Sequence, residues 1–195
     1  MLRPGLIPVA ALTLALAVTL GGCVASTPVP RPTPSYRITP PPLDLLPRGH
    51  AVAGCDQSRP ADRSTVAPDD LVLGPLVYPG LLEGYQVDAP PAADRYGLRF
   101  FKVGPQLPPA SSVTVSIASG ALDYVGIVTE GGRSGGYRSV TYTSCAKDAG
   151  HGYVFWVGGF QLVGRERACV PLVVRVPGER EPRRLAVAIP VGACG

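Results

Sequence analysis

The chain has 195 residues, with 18 basic and 14 acidic side chains and a formal net charge of +4. That balance is too mild for a nucleic-acid-binding protein, so no nucleic-acid partner is expected. Sixteen of the basic residues are arginine and asparagine is absent, a composition typical of a GC-rich genome.

The first 23 residues predict export and lipidation. Arg3 makes the start positive, and an uncharged run of 15 residues follows from Leu6 to Leu20. A membrane-spanning helix needs about 20 apolar residues, whereas a run of this length is usual for a signal-peptide core. Leu20-Gly21-Gly22-Cys23 resembles the bacterial lipobox, which implies a signal peptide over 1–22 that is cut before Cys23, and diacylglycerol and palmitate on that cysteine. The alternatives are an ordinary secretory signal or an uncleaved anchor.

A proline-rich linker is predicted next. Residues 23–50 are expected to form the lipidated N-terminus and this linker. Residues 24–50 contain eight prolines. Proline fixes φ and lacks a backbone donor, so neither helix nor sheet can propagate through such a segment. We expect the linker to hold a domain away from the outer face of the cell membrane.

The remaining residues, 51–195, predict one all-β domain. Val113, Val115 and Ile117 alternate with polar residues, which is the pattern of a half-buried strand. Strand-like runs between glycine- or proline-containing turns predict a single antiparallel β-sandwich of immunoglobulin-like type, with a closed β-barrel as the alternative. These runs are 71–78, 96–103, 112–118, 123–130, 137–145, 152–163, 169–176 and 184–191.

The four cysteines after Cys23 predict two disulfides, because an even number in an exported domain favours pairing. No metal site is expected, since no two cysteines have C-x-x-C spacing and the chain has only two histidines. If the last four strands form a simple meander, Cys169 and Cys194 lie at one end of the sheet and Cys145 at the other. That geometry favours the pairs Cys169–Cys194 and Cys55–Cys145.

No catalytic residue or cofactor is predicted. Residues 132–136 match G-x-S-x-G around Ser134, and His151 follows, but a nucleophile elbow needs a helix after the serine, so we interpret the segment as a glycine-rich turn. Asp69 and Asp70 lack a calcium-loop pattern and are interpreted as a solvated turn.

Trp156 and Phe101 are the candidate binding residues. Each belongs to a run with aromatic or apolar residues on both strand faces, so one face must be covered by loops or left exposed as a binding patch. We expect Trp156 to lie in the domain interior. The alternative is a surface anchor for a partner.

The C-terminal third resembles uncharacterised actinobacterial lipoproteins in the residues Cys145, Gly158-Gly159-Phe160 (a predicted turn), Cys169-Val170 and Cys194. The resemblance implies a shared disulfide-linked β domain and carries no known activity. The predicted function is a membrane-anchored, non-catalytic binding or structural domain of the cell envelope, with an envelope protein or wall polymer as partner. The alternatives are a small hydrolase using Ser134 and His151, and a small-molecule carrier.

Overall fold

The computed structural model describes residues 46–81, 91–132, 135–146, 152–190 and 194. All described residues belong to one compact unit, Arg37–Gly195. They form strands and one short 3-10 turn, Ser119–Ala121. The strands are β1 (His50–Ala53), β2 (Arg59–Ala61), β3 (Leu71–Leu73), β4 (Leu76–Tyr78), β5 (Leu98–Lys102), β6 (Gln106–Leu107), β7 (Ser112–Ile117), β8 (Val125–Thr129), β9 (Ser139–Thr143), β10 (Tyr153–Phe155), β11 (Gly158–Val163), β12 (Ala168–Arg175) and β13 (Arg183–Ile189).

The strands form three sheets, with orders β1-β9-β7-β12-β13, β2-β10-β6-β4-β3 and β5-β11-β8. The all-β prediction is confirmed, and the architecture is that of a β-sandwich. Each of these sheets has two edges within the described residues, so the closed-barrel alternative is not adopted. The pairing is antiparallel except between β1 and β9, which run parallel in the register His50↔Ser139.

Two predicted strands are each broken into two. The run 71–78 is a tight hairpin of β3 and β4, because Gly74 adopts a φ of +66° and reverses the chain. The run 152–163 changes sheets after Phe155, so β10 pairs with β2 and β6 while β11 pairs with β5 and β8. Strands β1, β2 and β6 are not predicted, because they are two to four residues long and lack an alternating pattern.

The core lies between the sheets, and it contains the side chains that alternation predicts. Val113, Val115 and Ile117 of β7 are buried, while the polar residues between them are partly exposed. Each such aliphatic side chain stabilises the fold by roughly 1.5–3 kcal/mol when it leaves water. The largest fully buried side chains are Trp156, Tyr78, Tyr142, Phe101, Phe160, Leu76 and Leu107.

Gly158 and Gly159 begin strand β11 and do not form the turn predicted from the sequence. A Cβ atom on Gly158 would lie 2.3 Å from the carbonyl oxygen of Val128, and one on Gly159 would lie 2.0 Å from that of Phe101. The strand enters between β5 and β8 with no room for a side chain. Glycine is therefore required here by close backbone approach.

Both predicted disulfides are present, in the favoured pairs. The Cα atoms are 5.3 Å apart in Cys55–Cys145 and 5.5 Å apart in Cys169–Cys194. The meander on which the pairing was based is wrong, because β12 lies between β7 and β13. The pairing survives because β9 and β12 still run in the same direction, which leaves Cys145 and Cys169 at opposite ends of the sheet.

The domain therefore has two poles. The N-terminal pole holds 46–49, where the described chain begins, together with the loops 94–97, 118–124 and 164–169. Backbone hydrogen bonds join these segments, among them Arg138 N–H to Gly49 O at 3.1 Å and Gly164 N–H to Gly97 O at 3.0 Å. The cleft pole holds the opposite strand ends, the Cys55–Cys145 disulfide, residues 102–106 and 156–158, and the β12–β13 hairpin turn.

Candidate functional site

A cleft of about 410 Å³, the Lys102 cleft, opens at the cleft pole, where β5 and β11 meet the sheet of β2, β10, β6 and β4. Strand pairing places Arg59 beside Phe155, Phe155 beside Gln106, and Gln106 beside Val77. Directly paired residues share a sheet face, so these side chains form one row across four strands. The cleft is lined by Arg59, Pro79, Lys102, Val103, Gly104, Gln106, Phe155, Trp156, Val157 and Gly158.

Two cations border the cleft, and they differ in their partners. Lys102 ends β5, is exposed, and has no ion-pair partner among the described residues. The Nη2 atom of Arg59 lies 2.6 Å from Glu130 Oε1, and both side chains are about half exposed. Exposed pairs of this kind contribute only about 0–1 kcal/mol, so an incoming anion can replace Glu130 at little cost.

Gln106 supplies the cleft with an amide whose hydrogen bonding is incomplete. Its Oε1 atom is buried and accepts no hydrogen bond within the described part of the chain. A buried acceptor without a donor costs about 1–3 kcal/mol, so a ligand hydroxyl or amide N–H that reached it would gain that amount. The half-buried ring of Phe155, next to Gln106 on the neighbouring strand, adds an apolar surface.

Two larger cavities are lined by polar groups that already have hydrogen-bond partners within the protein. One, of about 550 Å³, is lined by Ser111, Ser112, Thr143 and Ser144 among others. Its hydroxyl groups already bond to one another or to the backbone, as in Ser112 to Thr143 at 3.0 Å and Ser144 to Pro108 O at 2.6 Å. The other, of about 540 Å³, lies at the N-terminal pole, where Arg138 already donates to Pro47 O. We therefore place the candidate site at the smaller Lys102 cleft.

Asp70 fixes one wall of the cleft, and the interpretation of this residue as part of a solvated turn is wrong. Its side chain is 4% exposed and accepts hydrogen bonds from the Arg63 guanidinium, from Ala67 N–H at 2.7 Å and from Gly80 N–H at 2.9 Å. Gly80 follows Pro79, which lines the cleft. The carboxylate thereby holds the loop before β3 against the end of β4.

The pKa of Asp70 reflects this environment. Burial raises the pKa, while the hydrogen bonds from Arg63, Ala67 and Gly80 and the charge of Arg63 lower it, and the net result is a pKa below the usual 3.8. The carboxylate is therefore ionised at neutral pH. The only sequence signal for its role is its place directly before the apolar strand Leu71–Leu73, which puts it at the edge of the core.

The aromatic rings of Trp156 and Phe101, the binding candidates from the sequence, are buried. Trp156 is 2% exposed, as expected for an interior residue, and its indole N–H donates to Gly54 O at 2.9 Å. Phe101 is 1% exposed. The sheets and the loop after β1 cover these rings, so the alternative that they form an exposed binding patch is wrong. Trp156 lines the cleft, and its buried ring packs behind the cleft wall.

Cys23, Ser134 and His151 lie outside the described residues. Within the described ranges, no group of three or more His, Cys, Asp or Glu side chains could hold a metal ion. The same ranges contain no helix with the length and apolar character needed to cross a bilayer. The cleft offers cations, a hydrogen-bonding amide and an aromatic face, which are the groups that bind an anionic ligand.

Sequence reasoning did not identify Lys102 or Gln106 as site residues. Lys102 is one of only two lysines in the chain and directly follows the paired phenylalanines, a weak signal that could have drawn attention to it. No pattern in the sequence marks Gln106 as a site residue, because the residues beside it in the sheet come from β10 and β4. The chain matches no family model, no curated protein and no solved structure.

Proposed function

We propose that this protein is a lipid-anchored, non-catalytic binding domain on the outer face of the cell membrane, whose Lys102 cleft takes an acidic saccharide unit of a wall polymer. The observation that carries the proposal is the unpaired Lys102 beside the row of Arg59, Phe155 and Gln106. The cleft also lies at the pole opposite the start of the described chain, which suits a ligand that approaches from outside the membrane.

The location is supported by two independent features. The two disulfides indicate an oxidising, extracytoplasmic environment. The lipobox-like residues before Cys23 and the proline-rich spacer after it favour an anchor and a tether. With those elements at the N-terminus, the fold needs no further membrane contact to remain at the surface.

The ligand class follows from the groups in the cleft. A carboxylate would pair with Lys102 and Arg59, a neighbouring hydroxyl would donate to Gln106 Oε1 after the amide rotates toward the cleft, and the C–H face of a sugar ring would pack on Phe155. A small-molecule carrier instead needs an enclosed apolar cavity, which a cleft bordered by two cations does not supply. A uronic acid unit combines the three required features.

The ligand is tested with two probes of equal length, an oligosaccharide of glucuronic acid and one of glucose, titrated calorimetrically into the lipidated protein in detergent. We expect the acidic probe to bind about tenfold or more tightly than the neutral one, since a charged hydrogen bond contributes about 1.5–3 kcal/mol. Lys102→Gln should remove most of this preference. Arg175→Gln, which removes an exposed charge at the same pole outside the cleft, should retain it. Equal binding of the probes, or none, overturns the cleft assignment.

The anchor is tested separately by labelling cells with palmitate. Cys23→Ser should abolish labelling, and the chain should be released or remain as an uncut precursor. A cut, unlabelled variant that stays on the membrane would contradict lipid anchoring through Cys23.

A further inference from the structure

The N-terminal pole carries the whole excess of positive charge of the described residues. With Arg99 and Arg138, whose side chains bond to Glu166 and Pro47 of this pole, six arginines and three acidic residues lie there, and the rest of the described chain has seven basic and seven acidic side chains. One of the three acids, Asp94, accepts from the backbone N–H groups of Tyr96 and Leu98 at 2.8 and 2.9 Å. A second, Glu166, pairs with Arg99 at 2.9 Å.

Three arginines of this pole, Arg95, Arg165 and Arg167, are exposed and have no ion-pair partner among the described residues. The hydrogen bond from Gly164 N–H to Gly97 O brings their two loops together. Arg165 lies 3.9 Å from the centre of the Tyr124 ring, and Arg95 lies 4.6 Å from that of Tyr96. We call these five side chains the arginine–tyrosine surface. Cationic groups beside partly buried tyrosines match the chemistry of a lipid headgroup layer.

The described chain also begins at this pole. Leu46 and Pro47 line one cavity together with residues of the 119–123 segment, and Pro47 O accepts a hydrogen bond from Arg138. Only 22 residues separate Cys23 from Leu46. At about 3.1 Å per residue, an extended proline-rich segment of that length reaches roughly 70 Å at most. A lipid on Cys23 would therefore hold the arginine–tyrosine surface close to the bilayer at a local concentration in the millimolar range.

We infer that the arginine–tyrosine surface docks on an anionic lipid surface, so that the tethered domain rests on its N-terminal pole with the Lys102 cleft directed away from the membrane. The inference rests on the lipid anchor of the proposed function. Each arginine near an anionic leaflet strengthens attraction about fivefold, so three together supply roughly a hundredfold. That attraction is weak for a free domain and sufficient for a tethered one.

The test uses the lipidated protein carrying Tyr96→Trp, inserted into vesicles of phosphatidylcholine alone or mixed with phosphatidylglycerol. The buried Trp156 contributes a constant background that the protein without the substitution measures. With phosphatidylglycerol, the introduced indole should emit to the blue and be quenched by brominated lipid, and high salt should reverse both effects. With phosphatidylcholine alone, it should stay accessible to an aqueous quencher.

Two charge-reversed variants make the test specific. Arg165→Glu with Arg167→Glu should abolish the dependence on phosphatidylglycerol. Arg180→Glu with Arg184→Glu changes the net charge equally on exposed residues of the β12–β13 hairpin at the other pole and should preserve it. Unchanged Trp156 emission in each variant reports that the fold is intact.

The outcomes separate this inference from the proposed function. Insertion into both vesicles with equal exposure of the introduced indole overturns the docking and leaves the anchor standing. Failure to associate with either vesicle overturns the anchor, and the tethered docking with it. Loss of the phosphatidylglycerol effect in both charge-reversed variants would show a response to net charge and would also overturn the assignment to this surface.

Discussion

The two poles of the domain differ in how their polar groups are used. At the cleft pole, Asp70 is buried and fully hydrogen-bonded, and Gln106 and Lys102 surround a cavity. At the N-terminal pole, Arg95, Arg165 and Arg167 remain exposed on loops. One sandwich therefore carries a cleft for a small group at one end and an exposed charged surface at the other, because strand ends present loops at both.

The disulfides give the first way to separate the poles, and they should have the largest effect. Cys55–Cys145 closes 90 residues and Cys169–Cys194 closes 25. Chain entropy predicts that replacing both cysteines of the first bond by alanine costs about 4.5 kcal/mol of unfolding free energy, against about 3.5 kcal/mol for the second. Denaturant unfolding of the two double variants measures the difference. A larger loss for the second bond would show that the N-terminal pole depends more on its cross-link.

Substitution of Trp156 tests how much the stability of the cleft pole depends on a buried aromatic ring. Trp156→Ala removes a side chain that is 2% exposed and packs against Tyr142, with ring centres 5.4 Å apart. Truncation of a buried aromatic costs about 3–5 kcal/mol. Phe100→Ala, a 38% exposed aromatic, should cost much less and serves as the control. Blue-shifted emission from Trp156 that resists aqueous quenchers should accompany the result, and red emission with wild-type melting would contradict the core assignment.

Asp70 tests the polar side of the same pole. Asp70→Asn should cost about 3 kcal/mol at neutral pH, because it leaves the Arg63 guanidinium poorly paired. The folded-state pKa of Asp70 lies below its unfolded value, so its stabilisation is present above about pH 4 and is lost as pH falls through the folded-state pKa. The free energy of unfolding should therefore fall less steeply with decreasing pH in the Asp70→Asn variant than in the wild type. Asp69→Asn, at the partly exposed neighbour, should lower the free energy of unfolding at neutral pH much less than Asp70→Asn does.

The smallest effect is expected between the poles, at the buried tyrosines. The hydroxyl groups of Tyr78 and Tyr142 have no hydrogen-bond partner of acceptable geometry among the described residues. Burial raises the pKa of both, and the proximity of Tyr78 raises that of Tyr142 further. Tyr142→Phe should change stability at neutral pH by about 1 kcal/mol or less, in either direction.

The free energy of unfolding at alkaline pH tests whether the Tyr142 hydroxyl is buried. Because its folded-state pKa is raised, its contribution is complete below about pH 10, and stability declines above that value as the unfolded chain loses the proton. Tyr142→Phe should reduce this decline. Identical alkaline curves for wild type and Tyr142→Phe would contradict burial of that hydroxyl.

Local patterns predicted much of the fold and little of the site. Alternation along Val113, Val115 and Ile117 is a property of one strand, so it survives any change of neighbours. The Cys55–Cys145 pair required only that two strands run in the same direction, so it survived an incorrect strand order. The row of Arg59, Phe155 and Gln106 required the order itself, because each member comes from a different strand.

Composition, spacing and short-range periodicity were sufficient to predict the all-β class, the two disulfides, the burial of Trp156 and an anchor at Cys23. Long-range contacts of the fold were needed to show that Asp70 is buried and ionised, that Lys102 borders a cavity, and that the unpaired arginines lie where the described chain begins. Burial and pairing of a polar side chain depend on donors and walls contributed by distant strands, and the register that brings them together is a property of the whole sheet.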